Sequence, residues 1–357
     1  MKNSQVAVLC LAILAGAGLV AASNWLLVKS LGSGASPAPA ALGTAAASAR
    51  PAAPAKRVVV GMMPKSKGNA YFFACQTGAN EAAKELGVDL LWDGPTSPDP
   101  AGQNAVVEGW ITRGVDVIAV AVENRDGISS VLRKAREKGI KVVTWDSDAQ
   151  NDARDYFVNQ ATPEGIGETL MDHCGRLLEG KGEYAIITAS LTASNMIEWQ
   201  KQIAKFNAQK FPNVKMVALR PCDDKQPKAF DEATAIMNAN PNCKLLMAIC
   251  SPAVPGAAEA VKQAGRKDVM VIGLGLPNDN KRYLKDGTTK AVVLWKTADL
   301  GYLSVHAAKA VAAGELKSGA KEILAGRLGS LKIDDQGSIV LGAPFTFTRE
   351  NVDQFDF

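Results

Sequence analysis

The sequence predicts an α/β protein built from two doubly wound parallel-sheet domains that are joined by a hinge. Short apolar, β-branched runs alternate with segments of helical periodicity from residue 57 to residue 313, which is typical of parallel sheets covered by helices on both faces. The alternation starts again after about residue 160, and this restart indicates a second domain similar to the first. A chain of 357 residues is long enough for two domains of ordinary size.

The first half of this pattern gives four strands and three helices in order. We expect strands over 57–63, 88–92, 115–122 and 140–145, and helices over 72–86, 103–113 and 127–138. Gly87, Gly114 and Gly139 follow the three helices, where glycine favours termination because it accepts the left-handed conformation.

The second half repeats the alternation. We expect strands over 184–188, 214–219, 244–249, 269–274 and 291–295, and helices over 163–178, 196–211, 229–237, 255–264 and 300–313. The predicted N-terminal domain is 57–160 plus about 296–335, and the predicted C-terminal domain is 161–295 plus the C-terminal tail. Parallel strands place their carboxyl ends along one edge of each domain, so a cleft between the two edges is expected to hold the ligand.

The first 56 residues predict export. Residues 1–30 contain an uncharged apolar run, 6–28, which is long enough to span a bilayer. Two alternatives remain open: a signal peptide cleaved after Ala22, and an N-terminal membrane anchor. Residues 31–56 are rich in alanine and proline, as expected of a linker. We therefore expect a periplasmic or extracytoplasmic protein, attached to the membrane only under the second alternative.

Composition excludes several classes of protein. Hydrophobic residues make up 47% of the chain and charged residues 21%, as in a globular protein, and a net charge of +4 without a basic block gives no indication of a nucleic-acid partner. Six cysteines without a C-x-x-C pair, and two histidines, predict no metal site. The cysteines are expected to be buried small hydrophobes, with a Cys222–Cys243 disulfide as the alternative.

Polar and aromatic side chains gather where the predicted strands end. Carboxylates, amides and ammonium groups pair with hydroxyls, which both donate and accept, and aromatic rings cover apolar C–H faces. This combination predicts a site for a small sugar. The candidate binding residues are Lys65, Asn69, Tyr71, Phe72, Asp126, Asp146, Asn195, Trp199 and Trp295.

Each candidate also has a structural alternative. Asp126 stands where it would cap a helix, and the aromatic residues around Tyr71 are equally suited to a core. Asp146 and Asp148 resemble a carboxylate pair for acid–base chemistry. However, the chain has neither a G-x-S-x-G elbow nor a G-x-x-x-x-G-K-[ST] loop, so we expect no enzymatic activity and no cofactor.

At these positions the chain resembles the type 1 periplasmic binding proteins, the solute receptors of ATP-driven sugar importers. The resemblance covers nearly all of 57–357. Its phrases are PK at 64–65, DGPT at 93–96, TWDSD at 144–148, VNQATP at 158–163, GLGLP at 273–277 and DQFDF at 353–357. The set is similar to the subgroup of rhamnose-binding proteins and receptors for the furanosyl signal autoinducer 2.

The resemblance implies roles for several residues. Lys65 and 69–72 match the ligand loop after the first strand, Asp126 matches a carboxylate that binds ring hydroxyls, and Trp295 matches the position after the strand near the hinge. The chain departs from the autoinducer receptors at four positions: Asn195 for Asp, Met196 for Gln, Ile249 for Pro and Ser251 for Ala. The phrases at 300–303 and 325–329 are closer to the rhamnose branch, whereas Lys296 replaces a smaller polar residue.

The resemblance therefore implies a monomeric receptor that captures L-rhamnose by hinge closure and delivers it to an ABC transporter permease. The alternative is an autoinducer 2 receptor that feeds a transporter or a sensor. Sugar-responsive repressors share the same body, but they need an N-terminal DNA-binding domain that residues 1–56 do not supply.

Overall fold

A computed structural model describes residues 57–357. The predicted export segment (1–30), the predicted linker (31–56) and Cys10 lie outside the described residues. The described chain forms two six-stranded sheets and a small two-stranded sheet. The strands are β1 Val59–Met63, β2 Asp89–Trp92, β3 Val117–Val120, β4 Lys141–Trp145, β5 Tyr156–Asn159, β6 Lys181–Thr188, β7 Asn213–Pro221, β8 Cys243–Ala248, β9 Met270–Leu274, β10 Thr289–Leu294, β11 Glu322–Leu324, β12 Ser330–Lys332, β13 Ser338–Val340 and β14 Phe345–Phe347.

Nine helices connect these strands within 57–357. They are α1 Ala70–Leu86, α2 Pro100–Arg113, α3 Arg125–Glu137, α4 Pro163–Leu177, α5 Ser194–Lys210, α6 Gln226–Ala239, α7 Ala253–Gln263, α8 Pro277–Asp286 and α9 Thr297–Ala312. Asn69, Asp99, Asn124 and Thr162 cap α1 to α4 by accepting a hydrogen bond from a backbone N–H of the first turn. Gly87 and Gly114 adopt the left-handed conformation after α1 and α2, as the sequence predicts.

The first sheet has the order β2-β1-β3-β4-β5-β13, and all of its pairs are parallel. The second has the order β7-β6-β8-β9-β10-β14, parallel except that β14 runs antiparallel to β10. In both sheets the strand order reverses beside the first strand of the sheet, which is the doubly wound arrangement. The predicted fold class is confirmed.

The chain passes between the two sheets three times within 57–357. It crosses after β5, after β10 and between β13 and β14. We call the part built on the first sheet lobe 1 and the part built on the second sheet lobe 2. Helix α9 follows β10 of lobe 2 but packs on α1 and on strands of the first sheet, so it belongs to lobe 1. The predicted domain boundaries themselves stay a prediction.

Helices α1 and α9 approach each other closely because each has a glycine at the contact. A Cβ atom at Gly78 of α1 would lie 1.8 Å from the carbonyl oxygen of Ala298, and one at Gly301 of α9 would lie 1.9 Å from that of Cys75. Only glycine lets two backbones approach to this distance.

The structure adds elements that the sequence pattern left out and corrects one contact. Helix α8 and strands β5 and β11 to β14 were not predicted, since they are short or interrupted. The Cys222–Cys243 disulfide is absent: Cys75, Cys174, Cys222, Cys243 and Cys250 are all free and buried. The sulfur near Cys222 is that of Cys250, at 3.4 Å.

Candidate functional site

A cavity lies between the two lobes, at the carboxyl ends of both sheets. Its walls come from residues at or after the ends of β1 to β4 in lobe 1 and of β6 to β10 in lobe 2. The lining residues are Lys65, Asn69, Tyr71, Phe72, Pro98, Glu123, Asp146, Ala189, Asn195, Met196, Trp199, Asp224, Ile249, Cys250, Ser251, Leu274, Leu294 and Trp295. The position is the one that doubly wound sheets favour for ligands.

The structure brings eight of the nine candidate residues to this cavity. Those eight are Lys65, Asn69, Tyr71, Phe72, Asp146, Asn195, Trp199 and Trp295. Asp126 lies elsewhere: it is exposed in the first turn of α3 and accepts a hydrogen bond from Gln150 Nε2 at 2.7 Å. Its carboxylate complements the helix dipole there. The carboxylate that reaches the cavity from this segment is Glu123, which precedes the helix.

Lys65 is at the centre of a hydrogen-bond network that joins both lobes. Its Nζ lies 2.9 Å from Asp146 Oδ2 and donates to Asn195 Oδ1 at 3.1 Å. Tyr71 Oη donates to Asp146 Oδ1 at 2.8 Å and accepts from Trp295 Nε1 at 2.9 Å. The network fixes the orientation of all five side chains. It also leaves Lys65 Nζ and the Asp146 carboxylate at the cavity surface.

Asp146 occupies an uncommon backbone conformation, with φ of +62°. Aspartate accepts the left-handed region more readily than most residues, yet the conformation still has a cost that surrounding contacts must offset. The neighbouring carboxylate, Asp148, is directed away from the cavity and forms an ion pair with Arg154 at 2.8 Å. The two residues therefore do not form the acid–base pair that their spacing suggested.

Aromatic rings form the apolar part of the walls. Tyr71 packs edge-on against Phe72 and Trp295, with ring centroids 5.0 and 6.1 Å apart, and Trp199 lies 6.2 Å from Trp295. Phe72 in turn packs on the buried ring of Trp145. This chain of contacts holds the cavity rings in place. Side chains of Met196, Ile249, Leu274 and Leu294 complete the apolar surface.

Three carboxylates face one ammonium group among the described residues that line the cavity. Burial alone lowers the pKa of Lys65, but Asp146, Glu123 and Asp224 outweigh it and raise that pKa above its ordinary value. Burial raises the pKa of Asp224, although Asn69 and Lys65 act in the opposite direction. Burial and the adjacent Asp146 carboxylate raise the pKa of Tyr71 well above its usual range, so its hydroxyl stays protonated and donates.

Direct hydrogen bonds cross the cleft around the cavity. Asn69 of lobe 1 donates from Nδ2 to Asp224 Oδ2 at 2.6 Å and accepts at Oδ1 from Ser251 Oγ at 3.0 Å. Ser190 Oγ donates to Glu123 Oε1 at 2.6 Å. These contacts describe a conformation in which the lobes are closed on each other.

A second group of contacts joins the starts of two helices across the cleft. The backbone N–H of Arg125 donates to Ser194 Oγ at 2.9 Å, and that of Asn195 donates to Ser147 Oγ at 3.3 Å. Because α3 belongs to lobe 1 and α5 to lobe 2, these bonds also require the closed arrangement.

The prediction from sequence omitted three polar residues of the cavity: Glu123, Asp224 and Ser251. Asp224 follows β7, so the rule that selected the other strand ends would have selected it too. Glu123 precedes α3 by two residues, and periodicity alone does not show which acidic residue of this loop is directed inward. Lys296, the departure near the hinge, is exposed at the start of α9 and does not line the cavity.

Two further observations concern the part of the chain that the structure describes. Across 57–357, no helix is both long and apolar enough to cross a bilayer. The same residues contain no group of three or more histidine, cysteine or acidic side chains arranged to hold a metal ion.

The family model and the curated relatives that match this chain are those of sugar-binding or periplasmic binding proteins. A model of the periplasmic binding protein domain matches residues 60–316. The D-ribose/D-allose-binding protein of Pseudomonas aeruginosa is 28% identical over 271 residues, which cover 72% of this chain and 82% of that protein. The ribose import binding protein of Salmonella typhimurium is 23% identical over 263 residues, with 72% and 85% of the two chains covered.

Solved structures match over most of the chain. LsrB from Clostridium saccharobutylicum, in complex with AI-2, has a TM-score of 0.79 and 26% identity, covering 84% of this chain and 100% of that one. An ABC transporter solute-binding protein from Clostridium phytofermentas with bound L-rhamnose has a TM-score of 0.80 and 27% identity, covering 84% and 98%.

Proposed function

Because the chain belongs to the periplasmic binding protein family, we propose that it captures L-rhamnose by hinge closure and delivers it to the permease of an ABC importer. The protein is a ligand-binding transport receptor and not an enzyme, in keeping with its homologues. Family membership implies an extracytoplasmic location, and the choice between a cleaved signal peptide and a membrane anchor stays a prediction.

The observation that carries the proposal is the chemistry of the cavity between the lobes. Asn69, Asn195 and the Lys65–Asp146 pair offer donors and acceptors on facing walls, as sugar hydroxyls require. The rings of Trp199 and Trp295 offer flat apolar surfaces for the C–H face of a pyranose. A buried site of this kind rejects ligands that leave its polar groups without a partner.

The apolar side of the cavity favours a deoxy sugar. L-rhamnose carries a methyl group where L-mannose carries a hydroxymethyl group. Met196, Ile249, Leu274 and Leu294 provide an apolar surface that suits a methyl group. The relative from Clostridium phytofermentas, which contains L-rhamnose, is consistent with this choice.

Autoinducer 2 is the second candidate ligand. The similarity to the AI-2 complex from Clostridium saccharobutylicum supports it, and Lys65 and Asp146 suit a furanosyl ligand with several hydroxyls. Asn195 and Met196 argue against autoinducer 2 as the ligand, since the sequence pattern of the autoinducer receptors has Asp and Gln at these two positions. Under both candidates, the protein is a monomer that binds its ligand between the lobes.

Isothermal titration calorimetry on the full chain tests the proposal, with L-rhamnose, L-mannose, D-ribose and autoinducer 2 as ligands. We expect L-rhamnose to bind, and L-mannose to bind roughly 10- to 100-fold more weakly because its additional hydroxyl enters an apolar wall. Absence of heat and of thermal stabilisation with L-rhamnose would contradict the ligand assignment. Tighter binding of autoinducer 2 than of L-rhamnose would select the second candidate.

A further inference from the structure

Two buried cysteines lie side by side in the lobe 2 wall of the cavity. Cys222 directly follows β7 and Cys250 lies two residues after β8, the strands that flank β6 on either side. Their Sγ atoms are 3.4 Å apart, although 28 residues separate them in the chain. Both side chains are buried, and Cys250 lines the cavity itself.

The segments that carry these cysteines also carry cross-cleft contacts. Asp224, two residues after Cys222, and Ser251, directly after Cys250, both bind the side chain of Asn69 from lobe 1. A covalent bond between Cys222 and Cys250 would therefore link the two loops whose side chains form hydrogen bonds with Asn69 of the opposite lobe.

We propose that Cys222 and Cys250 form a disulfide bond in the exported protein. The compartment that the family implies is one in which disulfides form and persist. A disulfide requires a sulfur–sulfur distance of about 2.05 Å, so the two atoms must approach by about 1.3 Å. Cys222 lies in the loop between β7 and α6, and Cys250 lies in the loop between β8 and α7, so neither cysteine belongs to a strand or a helix.

The reaction is thiol–disulfide exchange with an oxidised dithiol protein of the same compartment. The thiolate of one cysteine attacks a donor sulfur to give a mixed disulfide, and the thiolate of the other displaces the donor. The two cysteines lose two electrons and two protons, and the donor disulfide gains them as two thiols. Burial raises the pKa of Cys250 well above its usual range, so exchange precedes closure of the wall during folding.

Peptide mapping tests the bond directly, because trypsin separates the three relevant cysteines. The full chain is exported, denatured without reductant, alkylated with iodoacetamide and digested. Cys222, Cys243 and Cys250 then lie in peptides 216–225, 229–244 and 245–262. We expect 216–225 joined to 245–262, with 229–244 alkylated alone. Alkylation of all three peptides separately, or a bond that includes 229–244, would overturn the proposal.

Thermal unfolding provides a second test of the bond that is independent of peptide mapping. Denaturing the exported protein with a phosphine reductant and refolding it with the reductant present is expected to lower Tm by roughly 5 °C relative to refolding without reductant. The Cys222→Ala variant should start at the lower Tm and show no further response, whereas Cys243→Ala should keep the full response. An unchanged Tm in the exported protein, or a full response in Cys222→Ala, would contradict the bond. Neither measurement uses a sugar, so failure of the rhamnose assignment leaves both tests intact.

Discussion

Lys65 determines the charge balance of the cavity. It is the sole cation among the described lining residues, and its ammonium group is held by Asp146 at 2.9 Å with both side chains almost completely buried. A buried ion pair contributes little compared with an apolar pair of the same volume, but removing one partner leaves a charge without compensation. The consequence of losing Lys65 should therefore far exceed that of losing a surface lysine.

The Lys65→Met variant should lose about 3–5 kcal/mol of unfolding free energy at pH 7, because the Asp146 carboxylate is then buried without its counterion. The neighbouring Lys67 is a matched control, since its ion pair with Asp93 is shorter still, at 2.6 Å, but solvent-exposed. Lys67→Met should cost about 1 kcal/mol or less. Urea unfolding of both variants measures the difference, and equal losses would contradict the importance of burial.

Asp224 should make stability depend on pH. Its folded-state pKa is raised, chiefly by burial, so the folded protein binds this proton more tightly than the unfolded chain does. Its contribution to stability is therefore present below its ordinary pKa of 3.8 and is lost as pH rises through the folded pKa. Asp224→Asn, whose amide oxygen still accepts from Asn69, should have a higher Tm than the natural chain at pH 7 and a similar Tm near pH 3.5.

Asp223 provides the control for this pH effect. It has the same left-handed backbone, but its carboxylate is on the surface and pairs with Lys228 at 2.7 Å. Because Asp223→Asn leaves the Asp224 carboxylate in place, this variant should retain the pH-dependent contribution of Asp224 to Tm. If the two variants give the same profile, burial of Asp224 is not the cause.

Among the elements, the α1–α9 contact is the one at which a single methyl group should matter most. Gly301→Ala places a Cβ 1.9 Å from the Cys75 carbonyl oxygen, so the helices must separate, and we expect a loss of about 1–3 kcal/mol. Gly109 of α2 has open space around its Cβ position, and Gly109→Ala should stabilise the protein by about 0.5–1 kcal/mol. Denaturant unfolding measures both, and a neutral Gly301→Ala would contradict the close contact.

Elements with strong periodicity were predictable from the sequence, whereas individual side-chain directions were not. The apolar strands and the parallel sheets follow from residue pattern, and so does the edge at which the cavity lies. Asp126 was misplaced because the direction of a side chain in a strand-to-helix loop depends on where α3 begins. With Arg125 as its first residue, Asp126 is on an exposed turn and Glu123 is in the cavity.

The sequence pattern does not show which residues that are distant along the chain come into contact in the fold. Cys222 and Cys250 follow β7 and β8, the strands on either side of β6, and their sulfurs come within 3.4 Å of each other only in the folded sheet. Strand order of this kind is a property of the whole fold, and the sequence analysis named Cys222–Cys243 as the alternative pairing instead.

At the scale of the whole molecule, the structure is that of two lobes closed on each other. Three chain crossings connect the lobes, and hydrogen bonds also bridge the cleft directly. Hinge motion between such lobes changes the bridging bonds while leaving both sheets intact. Contacts that exist only when the cleft is closed should therefore contribute to ligand affinity without contributing to the stability of the open protein.

Ser194 provides a test of this idea, since its Oγ accepts from the backbone N–H of Arg125 across the cleft at 2.9 Å. Removing one neutral hydrogen bond costs about 0.5–1.5 kcal/mol, so Ser194→Ala should bind L-rhamnose roughly 2- to 10-fold more weakly by calorimetry. Its ligand-free Tm should stay unchanged, and small-angle scattering should show a larger radius of gyration at subsaturating sugar. Ser330→Ala, whose Oγ bonds Glu322 within the small sheet, should match the natural chain throughout. Equal affinity and equal radius for Ser194→Ala would contradict a contribution of this cross-cleft bond to ligand-induced closure.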